Sequence, residues 1–190
     1  MLNPPRIASQ VAGACALALA LLSSAHAAPV LELSAATSAT GVNLTVSARD
    51  VVDLYGYQFT LHFNPALLTA VAGAEGAFLP SGGTTFFDAG AIDNTAGSIS
   101  FSFGTLIGAI GGVNGSGDLA TFSFGIDRGG FANFSFSDVE FLDSTLTAMA
   151  VDTTDLAVQV GEVPEPGSLF LAATGLFALL GGRAIKPKAR

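Results

Sequence analysis

The chain has 190 residues, half of them apolar and only 12% charged, and carries a net charge of −8. That length suits one domain with a true core, and the negative sign argues against nucleic acid or an anionic membrane surface as a partner. One cysteine and two histidines leave little material for disulfides, thiolate chemistry or a zinc site.

Residues 1–27 have the order of features expected of an export signal. Arg6 and the amino terminus give a positive start, and Val11 to Leu22 is an apolar run too short to span a bilayer. Ala25-His26-Ala27 supplies the small-x-small pattern, so cleavage is expected between Ala27 and Ala28. A buried N-terminal helix would not require that order. Lipid attachment at Cys15 would need a cut just before it, where little apolar sequence precedes it. Cleavage after Ala27 removes Cys15, so the exported domain must be held by its core alone.

Residues 28–162 form one expected domain, with fourteen acidic residues against Arg49 and Arg128 and no lysine. Alternation with period two predicts strands. Val42, Leu44 and Val46 alternate with Asn43, Thr45 and Ser47, and Tyr57, Phe59, Leu61 and Phe63 alternate with Gln58, Thr60 and His62. Asn64-Pro65 then suits a single helical turn over Pro65 to Leu68, the only one expected. Ile99, Phe101 and Phe103 are expected inside, with Ser98, Ser100 and Ser102 outside. Phe122, Phe124 and Ile126 follow, and Leu156, Val158 and Val160 make the last strand. Gly82-Gly83, Asp93-Asn94, Gly111-Gly112, Gly115 to Gly117 and Gly129-Gly130 read as punctuation between strands. Phe134 and Phe136 have one parity, Val139 and Phe141 the other. A β-bulge near Ser137-Asp138 would return all four to the core and turn Asp138 and Glu140 outward. Strands with one buried face imply two sheets packed face to face, an all-β sandwich.

Residues 163–190 form a second address. Val163-Pro164-Glu165-Pro166-Gly167 precedes an apolar stretch, and Arg183, Lys186, Lys188 and Arg190 end the chain. A transmembrane helix over 167–185 would be about 28 Å long, near the hydrocarbon thickness. The basic tail then places the C-terminus in the cytoplasm, with the precursor held transiently in the inner membrane. A buried C-terminal core helix is the alternative that the terminal charges disfavour.

Residues for catalysis are scarce. A Ser-His-Asp triad would have to use His62, which alternation places on the outer face of a strand. Asp50 with Asp53, or Asp138 with Glu140, are the carboxylate pairs that glycoside hydrolysis would need. There is no tryptophan, and only Tyr55 and Tyr57 offer tyrosine platforms for a sugar, with Tyr57 expected inside. Carboxylates and loop carbonyls would suit calcium, but no Asp-x-Asp-x-Asp-Gly loop is written. The expectation is a non-enzyme without a required cofactor, and the binding face is not legible.

Two resemblances sharpen this reading. Val163-Pro164-Glu165-Pro166, one apolar helix and a terminal basic tail resemble a PEP-CTERM sorting signal. That resemblance implies processing by an exosortase, a membrane-embedded cysteine protease, at or near Pro164-Glu165-Pro166. Display at the cell surface or in an exopolysaccharide matrix would follow. The domain resembles a cohesin through Val51 to Leu68, Asn94 to Ile99, Gly115 to Phe124 and Phe136 to Asp143. This implies a nine-stranded jelly-roll sandwich that binds a protein partner, a dockerin-like module, without catalysis. The alternatives are an extracellular polysaccharide ligand or a passive structural role in the matrix.

Overall fold

The computed structural model describes residues 28–161. Ala25 and Ala27 of the cleavage site, the sorting motif 163–167, the helix expected over 167–185 and the basic tail lie outside the described residues. Ala28 opens the described part and is exposed.

The described residues form eleven strands, nine of them three residues or longer. In chain order these are β1 (Val30–Thr37), β2 (Gly41–His62), β3 (Leu68–Glu75), β4 (Thr85–Asp88), β5 (Ala91–Asp93), β6 (Ser98–Leu106), β7 (Val113–Ile126), β8 (Gly130–Asp143), β9 (Ala148–Met149), β10 (Asp152–Thr153) and β11 (Leu156–Val160). The fold is the all-β sandwich that the alternation implies, in the jelly-roll form that the cohesin resemblance implies. One layer runs β10-β1-β2-β7-β3, using the first half of β2. The other joins the second half of β2 to β6 and β8, with β4 and β5 beyond β6, and β9 and β11 on β8.

β2 belongs to both layers, and its sequence explains how. Ala48, Val51, Leu54 and Tyr57 are all buried although they lie three apart. The pairing register slips at each step, so each step flips the parity of inward residues. Even-numbered residues therefore point inward before the corner and odd-numbered ones after it. Asp50 and Asp53 take the left-handed conformation there, with φ of 53° and 61°. Aspartate tolerates that region better than most residues.

Aromatic contacts join the layers. Phe59 on β2 is fully buried and meets Phe122 of β7 and Phe136 of β8 edge-on, at 6.2 and 5.5 Å between ring centres. Phe124 of β7 meets Phe63 at 5.1 Å and Phe134 at 5.3 Å. Tyr57 donates its hydroxyl to the Leu119 carbonyl across the core at 2.8 Å, and burial pushes its phenol well above its ordinary pKa. The bulge expected near Ser137-Asp138 is present. Thr60 pairs with Ser137 but Gln58 with Glu140, and Asp138 has φ of 51°. Phe134 and Phe141 are buried, Phe136 and Val139 pack on the core, and Asp138 and Glu140 are exposed.

Three expectations require correction. Phe101 is 61% exposed, and Ser102 is fully buried. Another bulge, on β6, causes this: Phe59 pairs with Ser102 but Leu61 with Ile99. After it, Ser102, Gly104 and Leu106 face inward, and Phe101 and Phe103 fall on the outward parity. Gly115 to Gly117 do not separate strands but lie inside β7, where it follows the corner of β2. Finally, the turn after Asn64 forms, with the Asn64 side chain accepting from Ala66 N at 3.0 Å, but it is not the only helical turn. Leu79–Gly82 make a short 3-10 turn with Pro80 near its start.

Candidate binding face

The outer surface of the second layer is the strongest candidate. β2 runs through its centre and places Gly56, Gln58, Thr60 and His62 along it, since Tyr57, Phe59, Leu61 and Phe63 are turned into the core. On one side, β4 and β6 carry Phe86 and Phe103, whose rings are tilted together at 5.8 Å, and the outward Phe101. On the other, β8 carries Asp138, Glu140 and Leu142, with Phe131 71% exposed further along. Gly56 has no side chain to fill the middle. A shallow depression of about 130 Å³ remains there, lined by Gln58, Phe103, Thr105, Glu140 and Leu142. Gly104 is needed beneath it, since a Cβ at that position would stand 2.7 Å from the Tyr57 ring. Exposed phenylalanines on a flat sheet are costly in water, and such patches mark interaction surfaces.

The residues considered for catalysis do not assemble. His62 is half-buried, and its Nε2 lies 2.8 Å from Ser137 Oγ. The nearby acid is on the wrong group, however: Ser137 donates to Asp138 Oδ2 at 3.0 Å, and no acid among the described residues bonds the imidazole. A triad needs the carboxylate behind the histidine. Asp53 is spent on structure. Its Oδ1 accepts from Gly112 N at 2.7 Å, and its Oδ2 accepts from the Ser144 hydroxyl at 2.6 Å and from Ser144 N at 3.2 Å. The Ser144 hydroxyl and then the Gly112 N–H hold its carboxyl below the usual range. Asp143 is lowered likewise, first by the Thr145 hydroxyl and then by Thr147 N. Asp50 donates its backbone N–H to the Ser116 hydroxyl oxygen at 3.0 Å. These bonds fix the corner of β2 to the loops beside it.

Asp138 and Glu140 share the outer side of β8, and Glu140 lines the depression. Tyr55 packs half-buried against the core and donates its hydroxyl to the Gly108 carbonyl at 2.7 Å, and Tyr57 is buried. Among the described residues, no group of three His, Cys, Asp or Glu is placed to hold a metal ion, and no helix is long and apolar enough to cross a membrane. The exposed aromatics Phe86, Phe101 and Phe131 were not anticipated. Phe86-Phe87 carried a usable signal, since neighbouring strand residues face opposite ways. Phe101 carried none, because Ser98 to Phe103 alternates without a break.

This two-layered all-β sandwich, with β2 shared between its layers, has the architecture of a cohesin-type domain. The chain belongs to the cohesin family, whose domain matches residues 29–160. Residues 162–186 match the PEP-CTERM protein-sorting motif. Solved structures share the fold. The sixth cohesin of scaffoldin B from Acetivibrio cellulolyticus, solved with a dockerin, is 20% identical with a TM-score of 0.57, covering 70% of this chain and 99% of its own. A non-cellulosomal cohesin from the archaeon Archaeoglobus fulgidus is 14% identical with a TM-score of 0.58, covering 76% and 98%. A type I cohesin from Clostridium thermocellum, also in complex with a dockerin, is 13% identical with a TM-score of 0.57, covering 70% and 99%. No curated protein matches the chain.

Proposed function

We propose that the chain is an exported, non-catalytic cohesin module that binds a dockerin-like protein through the outer face of the second layer. The observation that carries this is the line of Phe86, Phe101 and Phe103 beside the depression at Gly56. Dockerin complexes of cohesins with the same fold support the choice of partner. Residues 1–27 act as the signal peptide and 28–162 as the binding domain. Residues 163–190 act as the sorting signal, which holds the precursor in the inner membrane until an exosortase releases it to the cell surface or matrix.

Two measurements test this. Dockerin modules of the same genome, purified singly, are titrated into the full-length chain in detergent; saturable binding by at least one is expected, and binding by none overturns the partner. Terminal mass spectrometry of the released protein should find an N-terminus at Ala28 and a C-terminus near Pro164 to Pro166. A chain kept in the cytosol with both ends intact overturns the export reading.

The sorting motif favours a second reading, since its resemblance implies an exopolysaccharide setting. Retention of the chain on the host's own polymer, lost when Phe101 is replaced, would support it over the dockerin.

A further inference from the structure

The end of the domain from which the chain runs on toward the sorting motif is tightly built, yet it carries an exposed ring and an exposed cation. β11 ends at Val160, which is buried and pairs with Gly130 at the start of β8. Gly161 then packs so close to Gly129 that a Cβ would stand 2.6 Å from the Gly129 Cα, and its φ of 71° suits glycine. Arg128 and Phe131 flank this exit. Phe131 is 71% exposed, more than any other large apolar residue among those described. It pairs with Gln159 of β11, whereas β2 pairs with β8 only from Ser135 onward, so Phe131 stands past the end of the proposed binding face. Arg128 is exposed and makes no ion pair among the described residues, where the pair that forms joins Arg49 to Glu32.

The tether to the membrane is short. Gly161 and Gly167 are six residues apart, a stretch that reaches at most about 20 Å when fully extended. A helix that enters the hydrocarbon at Gly167 spends about 6 Å of this in the headgroup layer. No more than about 14 Å then separates this end of the domain from the headgroups. The rest of the surface is acidic and is repelled by an anionic leaflet. Asp127, beside Arg128, accepts from the Thr69 hydroxyl at 2.6 Å. An exposed aromatic and a long basic side chain are what the boundary between water and lipid accommodates. We infer that in the precursor this end rests on the lipid surface, with Phe131 seated among the headgroups and Arg128 on lipid phosphate. This rests on the proposed membrane anchoring and adds an orientation to it. β8 then rises from the bilayer, the corner of β2 points away, and the binding face stands upright, open to a partner before release.

The chain holds no tryptophan, so Phe131→Trp supplies a unique emitter. Leu146→Trp reports the far end: Leu146 is 66% exposed and follows β8, whose 14 residues extend about 40 Å from Gly130. Both sites are exposed, so neither change disturbs the core. Each full-length variant is reconstituted into vesicles of phosphatidylcholine and phosphatidylglycerol, with and without bromine on the acyl chains near the headgroups. Flotation after an alkaline wash checks insertion. Bromine should quench Phe131→Trp by about half or more and Leu146→Trp by less than about a tenth. Adding Arg128→Gln should reduce the quenching of Phe131→Trp about twofold. If the inserted chain is quenched equally at both ends, the lipid contact is wrong and the anchoring stands. Quenching unchanged by Arg128→Gln would overturn the part given to the arginine. If the chain does not float with the vesicles, the anchoring falls and the lipid contact falls with it.

Discussion

The two outer faces of this sandwich are built by the same alternation and yet differ in kind. The first layer shows the solvent Ser34, Asn43, Thr45, Thr121 and Ser123, with Ser123 donating to Asn43 at 3.1 Å, and Val71 as an exposed apolar residue on β3. The second layer shows Phe86, Phe101, Phe103, Leu142 and two carboxylates. Folding dictates the inner face of each sheet, because only those residues reach the shared core. It leaves the outer residues largely free, so what stands there reflects the use of the face. On the proposed function, the face with the exposed phenylalanines is the one a partner covers.

Breaking the core should abolish the difference, because both faces depend on it. Phe59 is fully buried between the layers, and Phe59→Ala should cost about 3–5 kcal/mol, read as a large drop in the denaturant midpoint. Tyr57→Phe is gentler. It leaves the buried Leu119 carbonyl without its donor and should cost about 1–2 kcal/mol while retaining the fold. A Tyr57→Phe protein as unstable as Phe59→Ala would show that the polar bridge, not aromatic packing, joins the layers.

Much of this was legible in the sequence. The strand alternation, the sandwich and the bulge at Asp138 all follow from parity, since Phe134, Phe136, Val139 and Phe141 can share a core only if one residue is inserted. The bulge at Phe101 was not legible because Ser98 to Phe103 satisfies simple alternation perfectly, and the close seat of the Tyr57 ring over Gly104 is visible only once the strands are paired. The role of Asp53 was hidden for a related reason. Its partners Gly112 and Ser144 lie 59 and 91 residues away and meet it only because β2 crosses between layers there.

That corner should respond to acid, and the two faces should lose their relative placement with it. The carboxyls of Asp53 and Asp143 at the corner, and of Asp93 in the turn between β5 and β6, are all held below their ordinary value of 3.8, Asp93 first by Ala96 N–H. A group lowered in the folded state stabilises it fully above the unfolded value, and that contribution is lost as pH falls through the folded one. Melting temperature should therefore decline below about pH 4. Asp53→Asn keeps the backbone conformation but cannot titrate, so it should start lower at neutral pH and show a shallower decline. A parallel decline in both proteins would assign acid sensitivity elsewhere.

Phe101→Gly separates stability from binding on the apolar face. The ring is mostly exposed, and its backbone φ of 56° is one that glycine takes without strain, so stability should hold or rise by up to about 1 kcal/mol while affinity falls. A clear loss of stability would mean that Phe101 serves the fold rather than the partner.

The smallest effect belongs to the polar face. Ser123→Ala removes only the exposed bond to Asn43, where water replaces the lost partner, so stability should change by less than about 0.5 kcal/mol. Affinity for the partner should not change, because Ser123 is on β7 in the first layer and faces away from the second. This null result has force only beside Phe101→Gly measured with the same partner. If Ser123→Ala weakened binding as much as Phe101→Gly does, the partner would have to touch both sides of the sandwich or sit on the polar one. Exposed phenylalanines would then have been a poor guide to the docking surface.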